Sequence, residues 1–199
     1  MAGTRTSIEQ IRRRDLVEAA YLTFLDHGMK GMTMARIGER AGMSHGIVNY
    51  YFKTKAELLS AVVRKANFLI LSDGARRLRA AKSPRERISA VIGANFTDDI
   101  FTREIARAWV SYYAMIGEHP EFERMQNALD RRVHSNLMHA LRQMTAEAPA
   151  REIAQTIATM IDGLWIRHAK SNDQYNAAAA IRHIEEVVDA RLAAVKPRR

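Results

Sequence analysis

The stretch from Thr33 to Phe52, TMARIGERAGMSHGIVNYYF, constrains this chain more than any other. Thr33 is a favoured N-cap residue, and Met34, Ile37 and Ala41 recur behind it at helical spacing. Gly42 falls where the chain must reverse, and glycine takes a left-handed conformation at little cost. Ser44 then caps a second helix of about two turns, roughly 10 Å long at 1.5 Å per residue. In that helix Ile47, Val48 and Tyr51 are expected to pack inward, and His45, Gly46, Asn49 and Tyr50 to face out. Two short helices across a tight turn make the pattern of a helix-turn-helix, whose second helix lies in the DNA major groove. A helical hairpin in an ordinary core would show the same apolar spacing. Three neighbours weigh against that plainer reading. Lys53 and Lys55 follow the exposed aromatics, within reach of phosphate. Thr54–Glu57, TKAE, is a capping box that starts a long helix just after Phe52. A basic run, Arg12-Arg13-Arg14, lies in the preceding helix. Positive charge, a groove-sized helix and hydrogen-bonding tips seldom coincide by chance.

The segment TMARIGERAGMSHGIVNYYFKTKAELL resembles the DNA-binding segment of TetR-type repressors. The shared features are Thr33, Ile37, Ala41-Gly42, Ser44, Gly46, Tyr51-Phe52, Lys55 and Leu58-Leu59. One departure stands out: most members carry tyrosine where this chain has Asn49, so no base contact carries over there. On this reading Ser44, His45, Gly46, Asn49 and Tyr50 meet base edges and the groove, and Thr33, Tyr51 and Lys55 hold phosphates and set the register. Asn49 is suited to read adenine with two hydrogen bonds, a contact worth about 1–3 kcal/mol of discrimination.

Charge supports a polyanionic partner, though weakly on its own. The 199 residues hold 31 Lys or Arg against 22 Asp or Glu, a formal charge of +9. Residues 1–65 carry 11 Lys or Arg against 6 Asp or Glu, so the excess is denser at the front. A hydrophobic content of 47% is enough for a real core. With no cysteine, disulfides, thiolate catalysis and cysteine metal sites are excluded. No apolar run approaches the ~20 residues of a membrane span, and Met1-Ala2-Gly3-Thr4 opens no signal-peptide pattern, so the expected compartment is the cytoplasm, with no membrane partner.

The expected architecture is all-α, about nine helices. A three-helix DNA-binding domain spans 1–53, a connecting helix 54–80, and a ligand-binding and dimerisation domain 81–199. Ser7–Gln10 matches a capping box, so helix 1 is expected to start near Ile8, behind a mobile arm carrying Arg5, and to stop at Gly28. Helix 4 runs from Thr54 towards Leu78. Ser83–Glu86, SPRE, sets cap, proline and glutamate at the right offsets for helix 5, which is expected to reach about Asp98. Helices 6 to 9 are expected at about Thr102–Glu118, Pro120–Met144, Ala150–Lys170 and Tyr175–Val195, before a disordered Lys196–Arg199. Nothing alternates at period two, so no sheet is expected.

The rest of the chain resembles one TetR subgroup. IGANF (Ile92–Phe96), ARAWVSYYA (Ala106–Ala114), RRVHSNLMHALR (Arg131–Arg142) and MIDGLWIRHA (Met160–Ala169) are similar to BetI-type repressors, as is SIEQIRRRDLVEAA at the front. The resemblance implies control of choline-to-glycine betaine synthesis, response to choline, and a homodimer on a palindromic operator, held through helices 8 and 9. Ile153, Ile157, Met160, Ile161 and Leu164 would give helix 8 its apolar face, and Ile181, Ile184, Val188 and Leu192 helix 9 its own.

The residues point the same way on the ligand, less sharply. A quaternary ammonium donates no hydrogen bond and is held by aromatic faces at about 0.5–2 kcal/mol per contact, often with a carboxylate nearby. Trp109, Tyr112, Tyr113 and Ile116 share one face of helix 6, Asp162 and Trp165 one face of helix 8, and Phe96 and Phe101 flank the turn before helix 6. The candidate ligand set is therefore Phe96, Trp109, Tyr112, Tyr113, Asp162 and Trp165. The same stripes are what a plain core looks like, and Asp162 could instead cap a helix or pair with Arg167.

No cofactor, metal or catalytic set is expected. His134 and His139 are five apart and do not align on a helix as a metal pair would. Asp98-Asp99 and Glu121/Glu123 read as solvated faces, Ser44-His45-Gly46 follows no strand, and no phosphate-loop or dinucleotide fingerprint occurs. The competing readings are a TetR-type regulator sensing a lipophilic drug or acyl compound and, from another class, an α-helical enzyme with a basic head.

Overall fold

The computed structural model describes residues 2–170 and 176–195, with side chains from residue 8 onward. The expected mobile arm with Arg5, the start of helix 9 at Tyr175 and the tail from Lys196 fall wholly or partly outside that description. Nine α-helices occur among the described residues, and no strand: α1 Ala2–Gly31, α2 Met34–Ala41, α3 His45–Tyr51, α4 Lys55–Ala80, α5 Pro84–Ala94, α6 Arg103–Tyr113, α7 Pro120–Leu141, α8 Glu147–Lys170 and α9 Ala177–Ala194.

The local signals act where the sequence puts them. Thr33 Oγ1 accepts from Arg36 N–H at 3.2 Å, Ser44 Oγ from Ile47 N–H at 3.4 Å, and Ser83 Oγ from Glu86 N–H at 3.1 Å. Gly42 takes a left-handed φ of 62°. At α4, Thr54 Oγ1 accepts from Glu57 N–H, and the Glu57 carboxylate reaches back one residue before the cap, to Lys53 N–H at 3.0 Å.

Several boundaries shift. The backbone of α1 is helical from Ala2 rather than from Ile8; Ser7 offers a cap, but no proline before it stops a nucleated helix from extending. Helix α5 ends at Ala94, not Asp98, because Asn95 turns its side chain back onto Val91 C=O at 2.9 Å. Helix α6 ends at Tyr113. A 3-10 turn over Ile116–Glu118 follows, so Ile116 is not on the helical face expected for it. The residue before Pro120 resists helical dihedrals, which keeps the segment from running on. Helix α8 starts at Glu147, with Pro149 inside the first turn, where its missing N–H costs nothing.

By packing density the chain forms two compact units, 1–68 with 107–123, and 69–106 with 124–199. Their limits fall inside α4, inside α6 and inside α7. The core of the first unit is built on Leu16, Phe24, Met29, Ile37, Val48 and Phe52, and includes Tyr112 and Phe122. Helix α2 packs on α1 and α3 on α2. The core of the second unit is built on Ile88, Ile92, Leu137, Leu141, Ile157 and Ile184, with α9 packed on α8 and α5. Arg85 joins α5 to α9, its guanidinium 2.8 Å from the Asp189 carboxylate, which holds that carboxyl below its usual range.

Helices α8 and α9 depart from expectation. Six of the nine apolar residues assigned to a dimer face, Ile153, Ile157, Ile161, Leu164, Ile184 and Val188, are buried inside the single chain. Their periodicity belongs to the chain's own core. Met160, Ile181 and Leu192 stay half-buried, and Ile166, 41% exposed, is the large apolar residue of α8 that faces out.

Candidate nucleic-acid interface and effector clusters

In the first unit, the turn between α2 and α3 is closed by Met43 N–H on Gly38 C=O at 2.8 Å, and Met43 and Val48 anchor it in the core. Pinned from below, the seven residues of α3 show an open face. Ser44, His45, Gly46, Asn49 and Tyr50 are all exposed, and Tyr51 is half-buried. Asn49 Nδ2 lies 3.2 Å from His45 Nδ1, one turn away. With Asn49 donating, His45 carries its proton on Nε2, so a donor from His45 and the Asn49 carbonyl oxygen both remain for a ligand. Two lysines just past the C-terminal end of α3 extend the face. Lys53 Nζ sits 5.5 Å from the Tyr50 ring centre and donates to Tyr50 C=O at 3.1 Å, and the exposed Lys55 opens α4. The Arg13 guanidinium stacks over Phe52 at 4.7 Å, and Arg13, Gln10, Tyr51 and Lys53 line an open groove with Glu9 and Tyr50. Tyr50 Oη donates to Glu9 at 3.4 Å, so a phosphate approaching Tyr50 displaces a carboxylate contact.

Thr33 is exposed, but its hydroxyl is already used as the α2 cap. Ile47 corrects the sequence reading: it is 44% exposed, not packed inward, and lies on the open face beside Gly46. At 100° per residue, 47 falls between the buried and exposed rows, and packing rather than periodicity decides which it joins. In a groove, its natural partner is a thymine methyl.

The expected effector residues divide between the units. Trp109, Tyr112 and Tyr113 belong to the first. Trp109 and Tyr112 meet edge to face at 5.3 Å, and Tyr112, fully buried, donates to Phe122 C=O at 3.2 Å. Tyr113 is half-buried beside them. Phe96 and Trp165 belong to the second unit, where both pack edge to face on Phe101, at 5.0 and 5.1 Å. His168 stacks on the same ring at 4.2 Å, and burial pulls its pKa down. Asp162 keeps an exposed edge, yet burial of its carboxyl, with Asp130 nearby, pushes its pKa up to about 6. It has no hydrogen bond or ion pair among the described residues, and Arg167 does not reach it. A cleft of about 40 Å³ in the second unit is lined by aliphatic residues of α4, α5 and α7 with Asn95, Arg132 and Asn136, and by none of these six.

Among the described residues no group of His, Cys, Asp or Glu could hold a metal ion, and no helix is long and apolar enough to cross a membrane.

The sequence pattern of the bacterial regulatory proteins of the tetR family matches residues 16–62, and that of the BetI-type transcriptional repressor C-terminal domain matches residues 84–193. The chain belongs to the TetR family. It is a DNA-binding transcriptional repressor with a BetI-type C-terminal domain, and not an enzyme. It is 36% identical to the HTH-type transcriptional regulator BetI of Brucella melitensis over 184 residues, 92% of this chain and 93% of that one. It is 34% identical to BetI of Paraburkholderia xenovorans, over 95% and 97% of the two chains. A Rhodococcus transcriptional regulator shares the fold at a TM-score of 0.81 and 17% identity, over 92% and 97% of the chains. A transcriptional regulator from Saccharomonospora viridis, solved in complex with choline, does so at a TM-score of 0.78 and 18% identity, over 89% and 95%.

Proposed function

We propose that this repressor controls genes converting choline to glycine betaine, that choline is its effector, and that it works in the cytoplasm as a homodimer on a palindromic operator. The observation that carries the reading is the BetI-type match across 84–193, supported by relatives named BetI over more than nine-tenths of the chain. The choline held by the Saccharomonospora viridis regulator supports the ligand class.

In this reading the exposed face of α3 reads bases: His45 and Asn49 by hydrogen bonds, Ile47 by apolar contact, with Gly46 and Ser44 letting the backbone come close and Tyr50 at the edge. Tyr51, Lys55 and the Thr33 end of α2 meet phosphates and fix the register. A two-fold pair of such heads reads an inverted repeat. Of the candidate ligand residues, Phe96 and Trp165 of the second unit would offer the choline ammonium aromatic faces, with Asp162 as counter-charge, while Trp109, Tyr112 and Tyr113 form a separate aromatic cluster in the first. Because the buried rings pack on one another, the cation enters only by turning rings aside. Operator and effector then favour different states, and each weakens the other's binding by one shared factor.

The test is to titrate operator-bound protein with choline, betaine aldehyde and glycine betaine. Release of the duplex by choline supports the reading. Indifference to all three removes the choline assignment and leaves the family intact.

A further inference from the structure

The segment just before the helix-turn-helix is hydrogen-bonded to a residue far away in sequence. Helix α1 breaks at Gly28, whose φ of 63° and ψ of −176° lie outside the helical range. After that break Met29 N–H has lost the helical carbonyl four residues back. It donates instead to Ser111 Oγ at 2.9 Å, across 82 residues of sequence and within the same compact unit. The Ser111 hydroxyl is fixed in turn, because its proton goes to Ala108 C=O at 2.6 Å in its own helix, leaving a lone pair aimed at Met29. The approach is close: a β-carbon on Gly28 would stand 2.9 Å from Ser111 Oγ and 3.2 Å from its Cβ. Two independent demands, the left-handed φ and the contact, therefore fall on glycine at this one position.

What this fixes is the path into the reading head. Met29 and Met32 are buried at 0% and 1%, and the next residue, Thr33, is the N-cap of α2. From Thr33 the chain is stiff, since α3 packs on α2 across the closed Met43–Gly38 turn. On the other side, Ser111 lies between Trp109 and Tyr112 in the sequence of α6, and Tyr112 packs on Trp109 and on Phe122 within the same unit. The residues matched by the TetR-family pattern stop at 62, so Ser111 is no part of the recognised head.

We propose that Ser111 is a positioning residue for operator reading: it ties the segment leading into α2 to the aromatic cluster of α6, so that the orientation of α3 follows the packing of Trp109 and Tyr112. This rests on DNA binding alone and does not depend on which effector the protein senses.

The experiment uses the full chain labelled with 5-fluorotryptophan. Its two tryptophans give two 19F resonances. The probe is a duplex selected by binding from a random pool. Saturating duplex is expected to move the Trp109 resonance of the parent and to slow amide exchange at Met29 several-fold. In Ser111→Ala, exchange at Met29 is expected to be roughly fivefold faster in the free protein, the size of one net hydrogen bond. The duplex should bind the variant more weakly, and at saturation no longer move the Trp109 resonance. A resonance that moves equally in parent and variant overturns the proposal. So does a parent in which duplex leaves Trp109 and the Met29 amide unchanged, a result that needs no variant to fold.

Discussion

The reading face of α3 and the aromatic cluster around Phe101 are built on opposite plans. On α3, polar residues face solvent and one valine, Val48, sits fully buried beneath them. Around Phe101, the rings of Phe96, Trp165 and His168 each pack on the Phe101 ring. A surface of the first kind binds without rearranging. A cluster of the second kind exchanges ring-on-ring contacts for ligand contacts, so its binding is coupled to conformation. That coupling is what an effector site requires, and a rigid, exposed face is what an operator-reading site requires.

The sharpest way to break the contrast is Trp165→Ala. A core indole is expected to cost about 3–5 kcal/mol on deletion, read as a large drop in the urea midpoint. A loss under about 1 kcal/mol would mean that the ring already stands free, and would erase the distinction. Gly28→Ala is expected to come next, at about 2 kcal/mol, from left-handed strain and the collision with Ser111. A neutral result would show that the α1 break relaxes freely. On the open face the effect moves from stability to recognition. Replacing thymine by deoxyuridine at single operator positions removes only a methyl, and at one position should cost the parent about 1 kcal/mol of affinity while costing Ile47→Ala nothing further. An equal penalty in both proteins would remove Ile47 from the readout.

The smallest effect is a pH dependence at Asp162. Its folded pKa is raised to about 6 from 3.8, so the folded state holds a proton that the unfolded chain has released. Stability is therefore lost as pH rises through that window. Asp162→Asn should match the parent in melting temperature at about pH 3.5 and exceed it modestly at about pH 7.5. A pH-independent difference would show that charge is not the cause.

How much of this was legible in the sequence follows from range. Thr33, Ser44 and Ser83 act on N–H groups three residues away, and their helices start where the spacing indicates. The exposed row His45, Gly46, Asn49 and Tyr50 is likewise set by one short helix. Ile47 was misplaced because periodicity leaves a residue between two rows undecided. The apolar faces of α8 and α9 were visible, but whether a face is covered by the same chain or by a second copy is a tertiary fact. Ser111 carried no signal at all: a serine inside a helix is unremarkable until Gly28 and Met29 are brought against it.

The most direct measurement is the affinity of the parent and of Asn49→Ala for a selected palindromic duplex and for a scrambled one of equal length, at one fixed salt concentration. The parent is expected to prefer the selected duplex strongly. Asn49→Ala is expected to lose about 1–3 kcal/mol of that preference, with an unchanged melting temperature and nearly unchanged binding to the scrambled duplex. Equal preference in the two proteins, or a parent that holds both duplexes alike, would contradict it.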